Sequence, residues 1–326
     1  MEKDNKKSNS TNAKHTAEEL KEMQSWELDK KIQVTKARII EWYERNSGKV
    51  YISLSGGKDS TVLLHIARSI YPDIIAVYID TGLEYPEVRK FALSQENVIK
   101  LKPAMNFKQV IETYGYPLIS KEVSQKIYTA RRCPNGAYAA RFEENDPHTE
   151  RYGKRYSMVK WKFLRDSEIP ISHKCCDVMK KHPAKKFEKE TGLKAITGMM
   201  ACESDLRKTS WLRNGCNAFD SKRPISNPLA FWTEQDILHY LFDTHIPYAS
   251  VYGEIVQDGN GKFHTTKCDR TGCVWCAYGV HNEKEPNRFQ RLKETHPKLW
   301  NYCMKPCSEG GLGMREILEY INVKVE

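Results

Sequence analysis

Lys49-Val50-Tyr51-Ile52-Ser53-Leu54-Ser55-Gly56-Gly57-Lys58-Asp59-Ser60 is the stretch that decides the fold. Its first half is an apolar run with the β-branched and aromatic character of a strand, and its second half turns on two glycines. A helical pattern follows, from Ser60 to Ile70. Residues 74–80 (IIAVYID) then read as a second buried strand. Strand, glycine turn, helix and strand in that order make one right-handed crossover, the opening unit of a doubly wound, mostly parallel α/β sheet.

The turn also carries chemistry. Gly56 and Gly57 let backbone N–H groups approach an anion, and the following helix presents its free N–H groups and positive dipole end there. Ser55 and Ser60 add hydroxyls and Lys58 adds charge. Asp59 repels a bare phosphate, so its presence implies a divalent metal nearby. The spacing is neither GxxxxGK[ST] nor GxGxxG. The plain alternative is a turn that only joins strand to helix.

Outward from this unit, residues 1–18 read as a polar tail and residues 19–46 as helical. Further strands are expected at 97–101 and 193–198. Residues 131–170 are basic, rich in tyrosine and resist assignment. Residues 233–243 carry a helix start, with Thr233 as cap and Asp236 three positions on. Residues 253–266 read as a loop or hairpin, and the last 45 residues as mixed helix. The expected organisation is a tail and first helix start over 1–30, a nucleotide-binding domain over 31–260, and a helical, cysteine-containing C-terminal extension over 261–326.

Composition limits the class. Hydrophobic residues make up 40% of the 326, enough for a packed core, and no run of about 18 apolar residues exists to span a membrane. The first twenty residues lack the apolar centre of a secretory signal, so a cytoplasmic protein is expected. The net charge is +10, and residues 121–223 account for it, with 23 Lys and Arg against 13 Asp and Glu. Such a segment suits an anionic ligand, a nucleotide or DNA or RNA, or else is a solvated lysine-rich surface.

Ten cysteines are many for a reducing compartment, where clustered thiols point to metal or redox chemistry. Cys175-Cys176 and Cys273-x-x-Cys276 together offer four thiolates, which suit a 4Fe-4S cluster or a tetrahedral zinc. Structural thiols or a disulfide are the plain alternative. Cys268 is a reserve ligand. Cys202 is a candidate reactive thiol; Cys133, Cys216, Cys303 and Cys307 read as packed residues.

Several of these stretches resemble one family. Ser55 to Ser60 (SGGKDS) is similar to the motif of PP-loop ATP pyrophosphatases, with their adenine nucleotide α-hydrolase-like fold. Asp80-Thr81-Gly82-Leu83-Glu84-Tyr85-Pro86-Glu87 resembles the DTGxxFPE signature of phosphoadenosine phosphosulfate (PAPS) reductases. Asn227 to Ile237 (NPLAFWTEQDI) resembles their PLxxWTxxDV stretch, and Ile246-Pro247-Tyr248 follows as their IPY. The resemblance spans about residues 50–279. It implies nucleotide contacts at residues 55–60, Asp80, Thr81, Gly82 and Gly198. It also implies catalytic roles for Lys58, Asp59, Glu203 and Arg207, the last two from a GxRxxES-like stretch.

That stretch reads Gly198-Met199-Met200-Ala201-Cys202-Glu203-Ser204, so Met200 stands where an arginine would hold an acidic group of the sulfonucleotide. The cysteine spacing resembles the iron–sulfur branch, the adenosine phosphosulfate (APS) reductases. Those reductases also carry a nucleophilic cysteine in an ECGLH-type tail, which MREILEYINVKVE does not match. Three functions are therefore expected to compete. The first is an ATP pyrophosphatase or adenylating, sulfur-transferring enzyme acting with nucleic acid. The second is a PAPS or APS reductase with another nucleophile, Cys303, Cys307 or a partner's thiol. The third is a non-catalytic nucleotide-sensing module. A protein partner supplying electrons or sulfur fits the first two.

Overall fold

The structure is a computed structural model that describes residues 13–326. Most of the polar tail expected over 1–18 lies outside the described residues. The chain divides into two compact units. The first comprises the chain up to Asp80, Tyr85–Leu101 and Lys185–Thr271; the second comprises Thr81–Glu84, Lys102–Ala184 and Gly272–Glu326.

The first unit is built on a six-stranded sheet. Strands β1 (Val50–Leu54), β2 (Ala76–Ile79) and β3 (Val98–Leu101) are those expected from the sequence. Strand β4 (Leu118–Ile119) belongs to the second unit, and β5 (Lys194–Ile196), β6 (Asn217–Ala218) and β7 (Ile225–Ser226) complete the sheet. Their order is β3-β2-β1-β5-β7-β6, parallel except for β6. This is the doubly wound α/β sheet. Both faces of β1 are covered, as its near-continuous apolar run requires. Val50, Ile52 and Leu54 enter the main core with Trp42, Val62, Leu63 and Phe231. Tyr51 points to the other face, where it packs with Val77, Phe187 and Ala195.

The order reverses between β1 and β5. Ile52 pairs with Ala76 on one side and with Ile196 on the other. The carboxyl ends of these two strands are therefore the switch point, where open sheets of this kind take their ligands. Helix α3 (Lys58–Arg68) starts there.

The helical stretch expected over 19–46 forms two helices, α1 (Ala17–Gln24) and α2 (Leu28–Arg45). The break has a cause in the fold. The Lys31 ammonium, fully buried, donates to the Gln24 carbonyl at 2.8 Å and to both oxygens of Asp236 at 2.7 and 2.8 Å. It thus satisfies an orphan carbonyl at the end of α1. Asp236 lies in helix Glu234–Thr244, whose start is the expected capping box on Thr233. Residues 253–266 contain an antiparallel hairpin, β8 (Ile255–Gln257) and β9 (Phe263–Thr265).

The second unit has little regular sheet. Strand β4 pairs in parallel with β10 (Ala277–Tyr278). Helix α4 (Pro86–Ser94) precedes it in the first unit; α5 (Phe107–Tyr114) and α6 (Lys121–Arg132) follow in the second. The unassigned stretch 131–170 holds short helices, Ala137–Ala140, Pro147–Tyr152 and Lys162–Asp166, and its end is tied down by one side chain. Arg131 donates to the carbonyls of Leu164, Arg165, Ser167 and Ile169 at 2.5 to 2.9 Å. The C-terminal extension is helical, with Arg288–Thr295, Pro297–Met304 and Met314–Tyr320. No helix among the described residues is long and apolar enough to cross a membrane.

Candidate functional site

The phosphate loop lies in the first unit. Gly56 has φ +77°, and a Cβ there would meet the Val88 carbonyl at 2.7 Å, so only glycine fits. Gly57 N–H donates to Ser55 Oγ at 3.3 Å, and the Ser55 and Ser60 hydroxyls lie 3.0 Å apart. Gly198, just beyond β5, lies against the first turn of α3; a Cβ would stand 3.1 Å from the Asp59 carbonyl oxygen. The expected glycine at 198 thus has a packing reason: it lets the ends of β5 and α3 meet.

Lys58 is buried and committed. Its ammonium donates to Glu234 at 2.7 Å and to the Asp269 carbonyl at 2.7 Å. Its backbone N–H donates to the Tyr252 hydroxyl at 3.3 Å, and that hydroxyl shares a 2.6 Å hydrogen bond with Thr271. Asp59 sits beside it. Burial raises its carboxyl above the ordinary range, against the pull of Lys58 and Arg270; Glu234 adds to the rise and Arg207 opposes it.

Glu203 and Arg207 meet as an ion pair, and Arg270 clasps the other oxygen of Glu203. The Met200 N–H also donates to Glu203, at 3.2 Å. Met200 itself is buried in the main core. The cations around Asp59 are therefore Lys58, Arg207 and Arg270, with none at position 200. Arg270, Glu234 and Tyr252 were not singled out from the sequence. Glu234 lies within the stretch that resembles PLxxWTxxDV, and Arg270 lies between Cys268 and Cys273.

Asp80, expected as a nucleotide contact, is buried. Arg89 of α4 grips it with two hydrogen bonds of 2.8 and 2.9 Å. Thr81 and Gly82 fall in the second unit. The Thr81 hydroxyl donates to the Glu84 carboxylate and accepts from Leu83 N–H, closing a tight turn. Gly82 has φ +72°, with open space where a Cβ would stand.

Cys202 donates to the Trp232 carbonyl at 3.5 Å. Burial raises its thiol, and the Asp59 carboxylate pushes the same way, so the surroundings keep it protonated. Cys303 is fully buried with its thiol raised by burial, whereas Cys307 is exposed.

The second unit brings the four expected cysteines into one neighbourhood. Cys175-Cys176 open a helix that runs at once into a π-helical turn, Asp177–Lys181, a distortion common at functional sites. Cys273 and Cys276 close a turn through a 3.0 Å backbone hydrogen bond. Burial raises the Cys175 thiol, and Cys176, Cys273 and Cys276 each push it further. Burial likewise raises Cys276, to about 11, while Arg288 pulls it down. Burial alone would lower Lys180, but Cys273 and Glu84 hold its ammonium charged.

Among the described residues, no three His, Cys, Asp or Glu side chains are drawn tightly enough to hold a metal ion. The thiols are neighbours here, without a closed coordination shell. Their chemistry nonetheless fits a cluster: four sulfurs, with Lys180 and Arg288 beside them to offset negative charge.

These features align with one family. The phosphoadenosine phosphosulfate reductase domain matches residues 49–135 and 137–278. The chain belongs to the PAPS reductase family. It is 25% identical over 288 and 264 residues to two uncharacterized proteins of Methanocaldococcus jannaschii, covering 86% and 79% of this chain. It spans only 53% and 41% of their lengths. It is 23% identical over 261 residues to the adenosine 5'-phosphosulfate reductase of Staphylococcus epidermidis, covering 79% of this chain and 83% of that one. The PAPS reductase of Candida auris, solved as a phosphate complex, matches 76% of this chain at 14% identity with a TM-score of 0.37, too slight a likeness to add to the family match.

Proposed function

We propose that this member of the PAPS reductase family is an ATP pyrophosphatase of the adenylating, sulfur-transferring kind, acting with nucleic acid. One observation carries the reading: a glycine turn at the sheet's switch point opens α3 and sets Lys58 and Asp59 beside Arg207 and Arg270. An ATP user needs this combination. The N–H groups of residues 56–60 and the Ser55 and Ser60 hydroxyls would hold phosphate oxygens. Asp59 would hold Mg2+, which neutralises charge on a leaving pyrophosphate. Arg207 and Arg270 would face the charge that develops on it, and Lys58, fixed by Glu234, keeps its ammonium at the loop.

Cys175, Cys176, Cys273 and Cys276 would hold a 4Fe-4S cluster, which supplies redox or sulfur chemistry when bound. The chain's own contribution there is to exclude water by burial and to keep Lys180 charged against the thiols. Zinc in the same place would leave only a structural or Lewis-acid role.

The competing reading, APS or PAPS reduction, draws support from the Staphylococcus epidermidis relative. Burial of Cys303 disfavours that thiol as its nucleophile, so Cys307 or a partner's thiol would have to serve.

The test is anaerobic assay of the purified chain for AMP and pyrophosphate from ATP, with and without DNA or RNA, beside an assay for sulfite from APS or PAPS with thioredoxin. Pyrophosphate release supports the proposal. Sulfite production moves the assignment to the reductases, and nucleotide binding with neither product leaves a sensing module.

A further inference from the structure

A cavity of about 450 Å3 in the second unit is used by neither site above. Ser120 and Lys121 at the start of α6, Lys160, Trp161, Tyr278 and His281 line it. Its chemistry is cationic and aromatic together. Ser120 caps α6 by accepting from Val123 N–H at 3.1 Å, so the positive end of a twelve-residue helix opens at the wall. Lys121 is shared with Asp177 at 3.2 Å. Lys160 has no carboxylate partner among the described residues and lies 4.8 Å from the centre of the Trp161 ring. His281 Nδ1 is buried with no hydrogen-bond partner among the described residues.

The rings continue outward from the cavity. His281 meets Trp161 at 5.4 Å, Trp161 meets Phe163 at 6.3 Å, and Phe163 meets Tyr320 at 5.9 Å. Phe163 and Tyr320 are 43% and 46% exposed, a costly place for large apolar rings unless they are covered in use. Residues 121–184, which include Trp161 and Phe163, carry 14 Lys and Arg against eight Asp and Glu, with Lys162 and Arg165 paired to Glu143. A basic surface interleaved with exposed rings is what binds unpaired nucleotides, because every base offers a face to stack on and every linkage a phosphate. A duplex hides its base faces and cannot use the row.

We infer that this cavity receives an unpaired base of a single-stranded nucleic acid, with phosphates at Lys160 and the start of α6 and adjoining bases on Phe163 and Tyr320. The inference rests on the reading that the protein acts with nucleic acid, and it names the strand form and the surface.

The test is fluorescence anisotropy of the full-length protein with a labelled single-stranded oligonucleotide, its duplex and free AMP, at low and moderate salt. The single strand is expected to bind at least about tenfold tighter than the duplex and to weaken with salt. Trp161→Ala is expected to weaken it about tenfold, Lys160→Ala to flatten the salt dependence, and Trp161→Phe to keep most of the affinity. ATP binding should be unchanged in all three, which also reports that they fold. Equal binding of duplex and single strand, saturation by AMP without preference for a strand, or a Trp161→Ala effect under twofold overturns the inference. If the parent protein binds no nucleic acid, the underlying reading falls as well; if it binds but ignores these substitutions, only this surface falls.

Discussion

Lys58 and Asp59 are adjacent in sequence but stand in opposite circumstances. The ammonium is already paired with Glu234, whereas the carboxyl is raised by burial and lacks a cation in direct contact among the described ion pairs. Because folding favours the protonated form of Asp59, the stability it contributes is present below the unfolded pKa, and it is lost as pH rises through the folded value. Ligand-free Asp59→Asn is therefore expected to melt higher than the parent near neutral pH, the gap closing as pH falls toward the ordinary carboxylate value. Differential scanning fluorimetry across pH checks this, and a lower melting temperature at neutral pH would contradict it. The same variant should lose Mg2+-dependent pyrophosphate release. Lys58→Ala is expected to slow that release by about 10²-fold, the cost of one preorganised cation or donor in such sites. Gly56→Ala meets both a positive φ and the Val88 carbonyl, so a loss of about 2 kcal/mol or more is expected by urea denaturation.

At the scale of the element, helix Glu234–Thr244 does three jobs from its first turn. Thr233 and Asp236 cap it, Asp236 neutralises the buried Lys31, and Glu234 fixes Lys58. Thr233→Ala should cost about 1 kcal/mol, the usual worth of such a cap. Lys31→Ala should cost about 3–5 kcal/mol, because it leaves Asp236 without its buried partner. Chemical denaturation ranks the two, and equal costs would refute the assigned roles. This helix and its cap were legible in the sequence because a capping box is local. So were β1, β2, β3 and β5, whose apolar runs are short and bounded. The break between α1 and α2 was not legible, since its cause, Lys31, is set by a residue about two hundred positions away. Residues 131–170 stayed unread because their helices, Ala137–Ala140, Pro147–Tyr152 and Lys162–Asp166, are too short to show a period, and Arg131 ties only the end of the last of them.

For the molecule as a whole, the phosphate loop and the cysteines are each assembled inside one unit, so their losses should separate. Cys273→Ser is expected to lower iron and sulfide content and the broad absorption near about 400 nm of anaerobically purified protein, with ATP affinity retained. Full iron content in that variant would remove Cys273 from the ligand set; zinc in place of iron would remove the cluster altogether. The sequence brought these cysteines together by spacing alone. It missed Arg270, whose partner Glu203 lies 67 positions upstream and becomes visible only once the chain has folded back. It also read Asp80 as a nucleotide contact, where Arg89 grips the carboxylate.

The placement of β1 between β2 and β5 has a consequence for biosynthesis. Ile52 finds Ala76 soon after it leaves the ribosome, but Ile196 emerges 144 residues after it. At about 5–20 residues per second, one edge of the central strand waits many seconds for its neighbour while Lys102–Ala184 of the other unit is being made. Cys175 and Cys176 also emerge well before Cys273 and Cys276. An open strand edge and an unmatched thiol pair coexist on the nascent chain, so yield in the cell should respond to translation speed and to oxygen.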